Sequence, residues 1–303
     1  MIEPEVDIEQ WIEKIANGDV RTLARALTLV ENDISPSHQL LKKININSAT
    51  PIIGITGPPG AGKSTLVNAL TDELFKRHLK VAILAVDPTS PFNYGSLLGD
   101  RIRMSKHFNN PNVYIRSVAT RGSLGGISGK TIEMLDVLKA ADFDLIVVET
   151  VGVGQSEVEI AGLADKTILV LVPEAGDEIQ HIKSGLMEIA QAFVVNKADR
   201  DGADGFANKL QKMLRDQHHK TPIFKTIADK YVGIEDLCDW ILKREKFAND
   251  KKIHLIAQKA YKLLEFKRMK GIDKVKLMSL VAEHESKGNF NIYSFIDEVE
   301  GHL

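Results

Sequence analysis

Cysteine is nearly absent: the 303 residues include one, Cys238. One thiol excludes an internal disulfide and the thiolate set of a zinc ribbon, and it suits a reducing compartment. Long apolar runs are missing too. The longest, such as Ile168 to Pro173, hold six or seven residues, against the roughly 18 that a membrane span needs. Neither sign of charge dominates: 39 Lys+Arg against 41 Asp+Glu leave a net charge of −2, which argues against holding nucleic acid by bulk charge. The N-terminus, Met1-Ile2-Glu3-Pro4-Glu5, is acidic where a secretory signal is basic, and no apolar core follows it. His218-His219 stands alone in a polar turn, with no H-x-x-x-H and no Cys nearby to make a metal set. There is no internal repeat and no low-complexity segment. The expectation is a soluble, cytoplasmic, globular protein with no membrane or nucleic-acid partner. A chain of this length buries about 75% of its unfolded surface without staples, and it has room for about two domains, or one large α/β domain with appendages.

Three zones follow from periodicity. Residues 1–45 read as a helical arm: Ile8, Trp11, Ile12 and Ile15, then Val20, Leu23, Leu27 and Val30, recur at helical spacing. Residues 46–247 alternate short β runs with helical runs. The strands are Ile52–Thr56, Val81–Val86, Val113–Arg116, Leu145–Glu149, Ile168–Val172, Ala192–Asn196 and Ile223–Lys225; the helices are Lys63–His78, Thr131–Ala141, Ile179–Ile189 and Phe206–Arg215. Most strands are apolar on both faces, as a sheet covered by helices on both sides requires. The alternation predicts βαβ units, hence a doubly wound, mostly parallel α/β sheet. Residues 248–303 return to a helical pattern (Ile253, Ile256, Ala257, Ala260, Leu263, Leu264).

The first chemistry-bearing motif is Gly57-Pro58-Pro59-Gly60-Ala61-Gly62-Lys63-Ser64, a G-x-x-x-x-G-K-S loop between a strand and a helix. That is the context a P-loop needs. Glycines let backbone N–H groups face a phosphate, and the helix N-terminus adds positive potential. Lys63 reaches the β- and γ-phosphates, and Ser64 suits Mg²⁺.

A second motif, Asn196-Lys197-Ala198-Asp199, follows the strand Ala192–Val195 about 130 residues later, at the end of the sheet where open α/β folds bind ligands. The Asp199 carboxylate can accept two hydrogen bonds from guanine N1–H and N2–H₂. Adenine offers no such pair, so GTP is preferred over ATP. The Lys197 stem can lie over the base. Lys225-Thr226-Ile227-Ala228 follows another short strand. GTPases usually have a Ser-Ala pair there, whose amide touches guanine O6. Thr226 and Ala228 fit that pattern loosely.

Leu145 to Thr150 is an apolar strand ending in Glu149, with Gly152 three residues on. This resembles the D-x-x-G switch of GTPases, with Glu for Asp: the acid serves Mg²⁺ and the Gly152 amide the γ-phosphate. Val153 stands where Ras-type proteins have a water-orienting Gln, which predicts slow intrinsic turnover. On their residues alone, Asp87 and Asp100 read as turn or cap residues more readily than as metal ligands. The glycine-rich run Arg121 to Gly126 is open between a mobile loop and an anion contact. Pro173 to Gln180 reads as a helix start, with Asp177 and Glu178 complementing the dipole.

Together these residues resemble the methylmalonyl-CoA mutase-associated GTPases, the MeaB/ArgK group once called LAO/AO transport kinases. The resemblance is carried by Gly57 to Thr65 (Pro58, Pro59 and Ala61 included), Val86-Asp87-Pro88, Gly95 to Arg101, Val148 to Glu157, Ala175 to Gln180 and Asn196 to Asp199. It spans most of the chain, and the run Glu149 to Glu157 is highly specific to the group. The resemblance implies a dimerising class of P-loop GTPase with an N-terminal helical arm and a C-terminal helical segment that helps it form a homodimer. Members act as G-protein chaperones of adenosylcobalamin-dependent acyl-CoA mutases, gating cofactor delivery and protecting the enzyme. Carried over, Lys63 binds phosphates; Ser64, Asp87, Asp100 and Glu149 serve Mg²⁺; Asn196, Lys197 and Asp199 read guanine. The loop from Pro173 to about Lys183 becomes a third switch in which Asp177, Gln180 and Lys183 answer to the mutase, replacing its reading as a plain helix start. Tyr94 and Glu174 depart from the family pattern, which usually has Gly at both places.

Two other classes share these motifs in part. A metallochaperone GTPase for nickel enzymes needs His or Cys clusters, which the sequence does not supply. A kinase of amino-acid transport needs ATP, which Asn196–Asp199 disfavours. Calorimetry with GDP and ADP separates them: GDP is expected to bind at least about tenfold more tightly, a difference of about 1.4 kcal/mol, and tight ADP binding beside weak GDP binding would remove the GTPase reading.

Overall fold

The computed structural model describes residues 7–47, 49–87, 104–107, 110–119, 129–150, 160–176, 190–216 and 221–243, and most of 257–299. The chain forms two compact units, Met1–Leu255 and Ile256–Leu303.

The first unit is built on seven parallel strands: β1 (Ile52–Thr56), β2 (Val81–Asp87), β3 (Val113–Ala119), β4 (Leu145–Thr150), β5 (Lys166–Leu171), β6 (Ala192–Val195) and β7 (Ile223–Lys225). Their spatial order is β3-β2-β4-β1-β5-β6-β7. All seven strands expected from the apolar runs form. The differences lie at the ends: β2 to β4 run one to three residues longer, β5 starts two residues earlier, and β6 stops before Asn196. Parallel pairing sets every strand's carboxyl end on one edge, and β1 lies between β4 and β5, where the chain's path reverses direction across the sheet. Such a reversal opens the crevice in which ligands of doubly wound sheets bind.

Helices α1 (Ile8–Ala16), α2 (Val20–Asn32), α3 (Ser37–Lys43), α4 (Lys63–Lys76), α5 (Gly129–Lys139), α6 (Ala203–Asp216) and α7 (Ile234–Leu242) cover both faces. Asp7 and Asp19 cap α1 and α2, accepting from the backbone N–H of Gln10 and Thr22 at 3.1 and 2.6 Å. These bonds satisfy amides that the helix itself cannot pair. The β alternation divides the apolar side chains. Ile52, Ala82, Leu84, Val86, Ile146 and Val148 face a core with α1, α2, α3 and α5. Ile53, Ile55, Ile83, Val147, Ile168 and Val170 face α4 and α7. Leu169, Leu171, Phe193 and Val195 face α6 through Phe206, Leu210 and Leu214.

The N-terminal helices are therefore a wall of the sheet's core. Ile15, Leu23, Leu27 and Val30 are all buried there. Arg116 on β3 adds a polar tie to α2, donating to Glu31 at 2.5 Å and Thr28 at 3.2 Å. Lys166, buried at the amino end of β5, donates to the carbonyls of Trp240, Ile241 and Lys243 at 2.8, 3.2 and 2.6 Å. A cation placed on the last carbonyls of α7 satisfies both its own charge and the helix end. Cys238 on α7 faces the same core, and burial pushes its thiol up to about 11, so it is protonated and unreactive near neutrality.

The second unit contains α8 (Lys274–Ser286) and α9 (Ile292–Val299), joined by the edge-on packing of His284 on Phe295. Among the described residues, no helix is long and apolar enough to cross a membrane.

Leu27 is completely buried beneath the sheet, so Leu27→Ala is expected to cost about 2–5 kcal/mol. Chemical denaturation checks this; a loss below about 0.5 kcal/mol would mean that the helical arm detaches from the core.

Candidate functional site

The phosphate loop leaves β1 and enters α4 at Lys63. Its glycines have separate reasons to be glycine. Gly60 and Gly62 hold φ of +78° and +85°, a region that favours glycine. At Gly57, φ is +144° and a Cβ would lie 2.1 Å from the Val170 carbonyl oxygen. At Gly62 it would lie 2.4 Å from the Asn196 side-chain nitrogen. The loop is thus pressed against β5 on one side and the β6 loop on the other.

Lys63 is buried, and its Nζ donates to the carbonyls of Gly57 at 2.8 Å and Pro58 at 3.0 Å. The ammonium folds back over the loop, inside the concavity that would hold a phosphate. Ser64 Oγ donates to Glu149 Oε1 at 2.7 Å, and both residues are buried. The register of β1 with β4 places Glu149 beside Ile55, so the acid stands at the start of the phosphate loop. A buried hydroxyl and carboxylate in contact form a hard-oxygen donor pair of the kind that Mg²⁺ takes. Asp87 closes β2 at the same edge: Ala85 pairs with Glu149 and Val86 with Thr150, one step before it.

The base-side loop is knotted by Asn196, which is 2% exposed. Its Nδ2 donates to the Ala61 carbonyl at 3.0 Å, while its Oδ1 accepts from Thr226 Oγ1 at 3.0 Å and the Ala228 amide at 3.3 Å. Asn196 is thus spent on joining the loops after β1, β6 and β7. Thr226 and Ala228, expected at the guanine edge, both serve that knot. Lys197 (φ +55°) donates to the Gly60 carbonyl at 2.7 Å. The Asp199 carboxylate is surface-exposed, accepts from Lys230 Nζ at 2.7 Å, and is held below the usual carboxylate range by that bond. Next to it, Arg200 pairs with Glu174 in the turn after β5, and this contact lowers the Glu174 carboxyl.

The edge therefore gathers Gly57 to Thr65, Glu149, Asn196, Lys197, Asp199, Thr226 and Ala228. Asp100, Gly152, Asp177, Gln180 and Lys183 lie outside the described residues, as do Arg121 to Gly126 and His218-His219. Sequence reasoning missed Lys230 and the Arg200–Glu174 pair. Lys230 and Arg200 belong to no motif and Glu174 enters only as a departure from the family pattern, so only the fold brings them beside the reader loop. Chemically, the arrangement offers an anion cradle, an adjacent pair of hard oxygen donors, and an exposed carboxylate on the loop that Lys197 ties to Gly60.

The model of the family described as methylmalonyl-CoA mutase-associated GTPase MeaB matches residues 23–282. A protein of Pyrococcus abyssi, named as a GTPase by inference, is 48% identical over 248 residues, which are 79% of this chain and 76% of that one. A fused isobutyryl-CoA mutase of Geobacillus kaustophilus is 36% identical over 242 residues, covering 73% of this chain but 22% of that much longer one. The crystal structure of a LAO/AO transport system kinase superposes with a TM-score of 0.64 at 26% identity, covering 99% of both chains.

Removing the Lys63 amine takes one side-chain donor from each of the Gly57 and Pro58 carbonyls. Lys63→Ala is therefore expected to lower stability by no more than about 1.5 kcal/mol while weakening GDP by about 10- to 100-fold. Calorimetry beside thermal unfolding checks both, and retained GDP affinity would contradict the phosphate-loop assignment.

Proposed function

The chain belongs to the methylmalonyl-CoA mutase-associated GTPase family, and on that footing we propose that it is a Mg²⁺-dependent GTPase switch serving an adenosylcobalamin-dependent acyl-CoA mutase. The observation that carries the reading is the loop knot: a phosphate cradle with a Ser64–Glu149 oxygen pair on one side, tied by Asn196 to the Asp199 loop on the other.

On this reading the reaction is GTP plus water to GDP plus phosphate. Phosphoryl transfer leaves little covalent work for the protein, so positioning and charge neutralisation dominate. Lys63 leaves the Gly57 and Pro58 carbonyls and pairs with the β- and γ-phosphates. The loop amides from Gly60 to Thr65 cradle the β-phosphate, and the Gly152 amide contacts the γ-phosphate. Ser64, Asp87, Asp100 and Glu149 are the residues to hold Mg²⁺, which when bound neutralises charge on the phosphate oxygens. Asp199 reads guanine N1–H and N2–H₂, Lys197 covers the base, and Asn196 with Thr226 and Ala228 fixes the loop that presents them.

Val153 in the place of a water-orienting Gln supports slow intrinsic turnover. A mutase partner then completes the site through the loop holding Asp177, Gln180 and Lys183. The fusion of a homologous segment to a mutase in the Geobacillus protein supports a client of that class. A homodimer through the second unit is supported by its apolar surface: Tyr261, Val275, Met278 and Tyr293 are each more than 70% exposed. The protein would work in the cytoplasm.

GTP turnover measured with and without the purified adenosylcobalamin-dependent acyl-CoA mutase of the same organism tests the proposal. An acceleration of at least about tenfold, or ~1.4 kcal/mol off the barrier, is expected, and it should disappear in Lys183→Ala. Unchanged turnover with intact GDP binding would keep the GTPase and remove this client.

A further inference from the structure

We propose that the turn Lys230-Tyr231 is a strut that fixes the distance between the base-reading and phosphate-binding halves of the nucleotide site. Tyr231 and its acceptor Asp72 are then positioning residues for any ligand that spans both halves. The proposal rests on the nucleotide reading above and adds to it a device that none of the sequence motifs contains.

Two consecutive side chains grip opposite halves. Lys230 Nζ donates to Asp199 Oδ2 at 2.7 Å, on the base side. Tyr231 OH donates to Asp72 Oδ2 at 2.5 Å, on α4. Asp72 lies two turns beyond Ser64 along one face of the helix that the phosphate loop opens, with Asn68 between them. A short rigid turn therefore connects the carboxylate that meets the base to the helix whose first residues meet the phosphates.

The turn is built not to slide. Ile227 and Val232 close it with reciprocal backbone bonds of 3.1 and 3.2 Å, and Lys230 N donates to the Ile227 carbonyl at 2.9 Å. Ala228 N anchors its near end on Asn196. At its far end Gly233 has φ +73°, and a Cβ there would lie 2.2 Å from the Lys225 carbonyl oxygen. Tyr231 itself holds φ +60°, a left-handed conformation that a bulky residue keeps only when its surroundings enforce it. Tyr231 is 45% exposed; its backbone closes the 3-10 turn Ala228–Lys230 between the Ile227–Val232 bonds, and its hydroxyl is held on Asp72.

The acceptor is itself fixed from a third direction. Lys106, in the 3-10 turn Ser105–His107, pairs with Asp72 Oδ2 and lies 3.1 Å from the Tyr231 hydroxyl. His107 Nε2 lies 2.9 Å from Asn68 Oδ1 and 3.4 Å from Asp72 Oδ1. Lys76 and Lys106 each sit 5.7 Å from the centre of the Tyr231 ring. A carboxylate held by a lysine, a phenol and a histidine has little freedom to follow a moving loop.

A ligand with a base and a phosphate tail benefits when both half-sites are already at the right spacing, because it then pays no ordering cost on binding. A ligand that uses one half gains nothing from the strut. The test is calorimetry on the full-length chain with GDP and with inorganic pyrophosphate, each with Mg²⁺, for the wild type and Tyr231→Phe. The expected result is GDP weakened about five- to tenfold with pyrophosphate unchanged. Tyr231→Asn, which suits the left-handed turn but cannot reach Asp72, should do the same, and it carries the test if the Phe variant loses thermal stability. Equal weakening of both ligands, or of neither, overturns the proposal. If the wild type binds ADP in place of GDP, the guanine reading fails, and the ratio of ADP to pyrophosphate affinity decides the strut in the same way.

Discussion

One buried amide holds the nucleotide edge together. The parallel sheet brings seven strand ends to the same side, but strand ends alone give loops free to part. Asn196 uses its amide nitrogen on the loop after β1 and its oxygen on the segment after β7, while its own backbone belongs to the loop after β6. In an interior with little water such bonds strengthen one another, and leaving one unmade is expensive. The motif residue that looks from sequence like a base reader is thus the fastening that lets Lys197 and Asp199 face outward together.

The two faces of the sheet contribute differently. The face covered by α1, α2, α3 and α5 is an apolar wall with ionic ties at its rim, such as Arg116–Glu31 and Lys130–Asp33. The face covered by α4 and α7 is the working side, because α4 begins at the phosphate loop. Its rim carries the denser polar set around Asp72. Exposed ion pairs contribute little to stability singly, so on the strut proposed above this cluster serves geometry more than folding free energy.

Much of this was legible in the chain. The apolar runs gave all seven strands, since a doubly covered strand must be apolar on both faces and few other segments are. The glycine spacing and Lys63-Ser64 gave the phosphate loop, because those residue types follow from local backbone geometry. Lys166 illustrates what stays hidden. A lysine opening a strand reads as a solvated residue, yet it is buried on three carbonyls at the end of α7 and its cap, some 75 residues away in sequence. The Asp199–Lys230, Arg200–Glu174 and Asp72–Tyr231 pairs are equally silent, since each joins segments distant along the chain. The role of Asn196 was half legible: its type and place were evident, but its partners were set by tertiary packing.

The loop glycines also differ in how they could drift over evolutionary time. Gly60 faces open space, so only its backbone angle restrains it, and an Asn is the natural excursion. Gly57 abuts the Val170 carbonyl oxygen, a backbone atom present whatever residue occupies 170, and no second change can make room. Gly62 abuts a side chain, that of Asn196. Positions 62 and 196 are therefore coupled: a side chain at 62 needs room that opens only once 196 has shrunk, which undoes the fastening, and it must also adopt a φ of +85° that favours glycine.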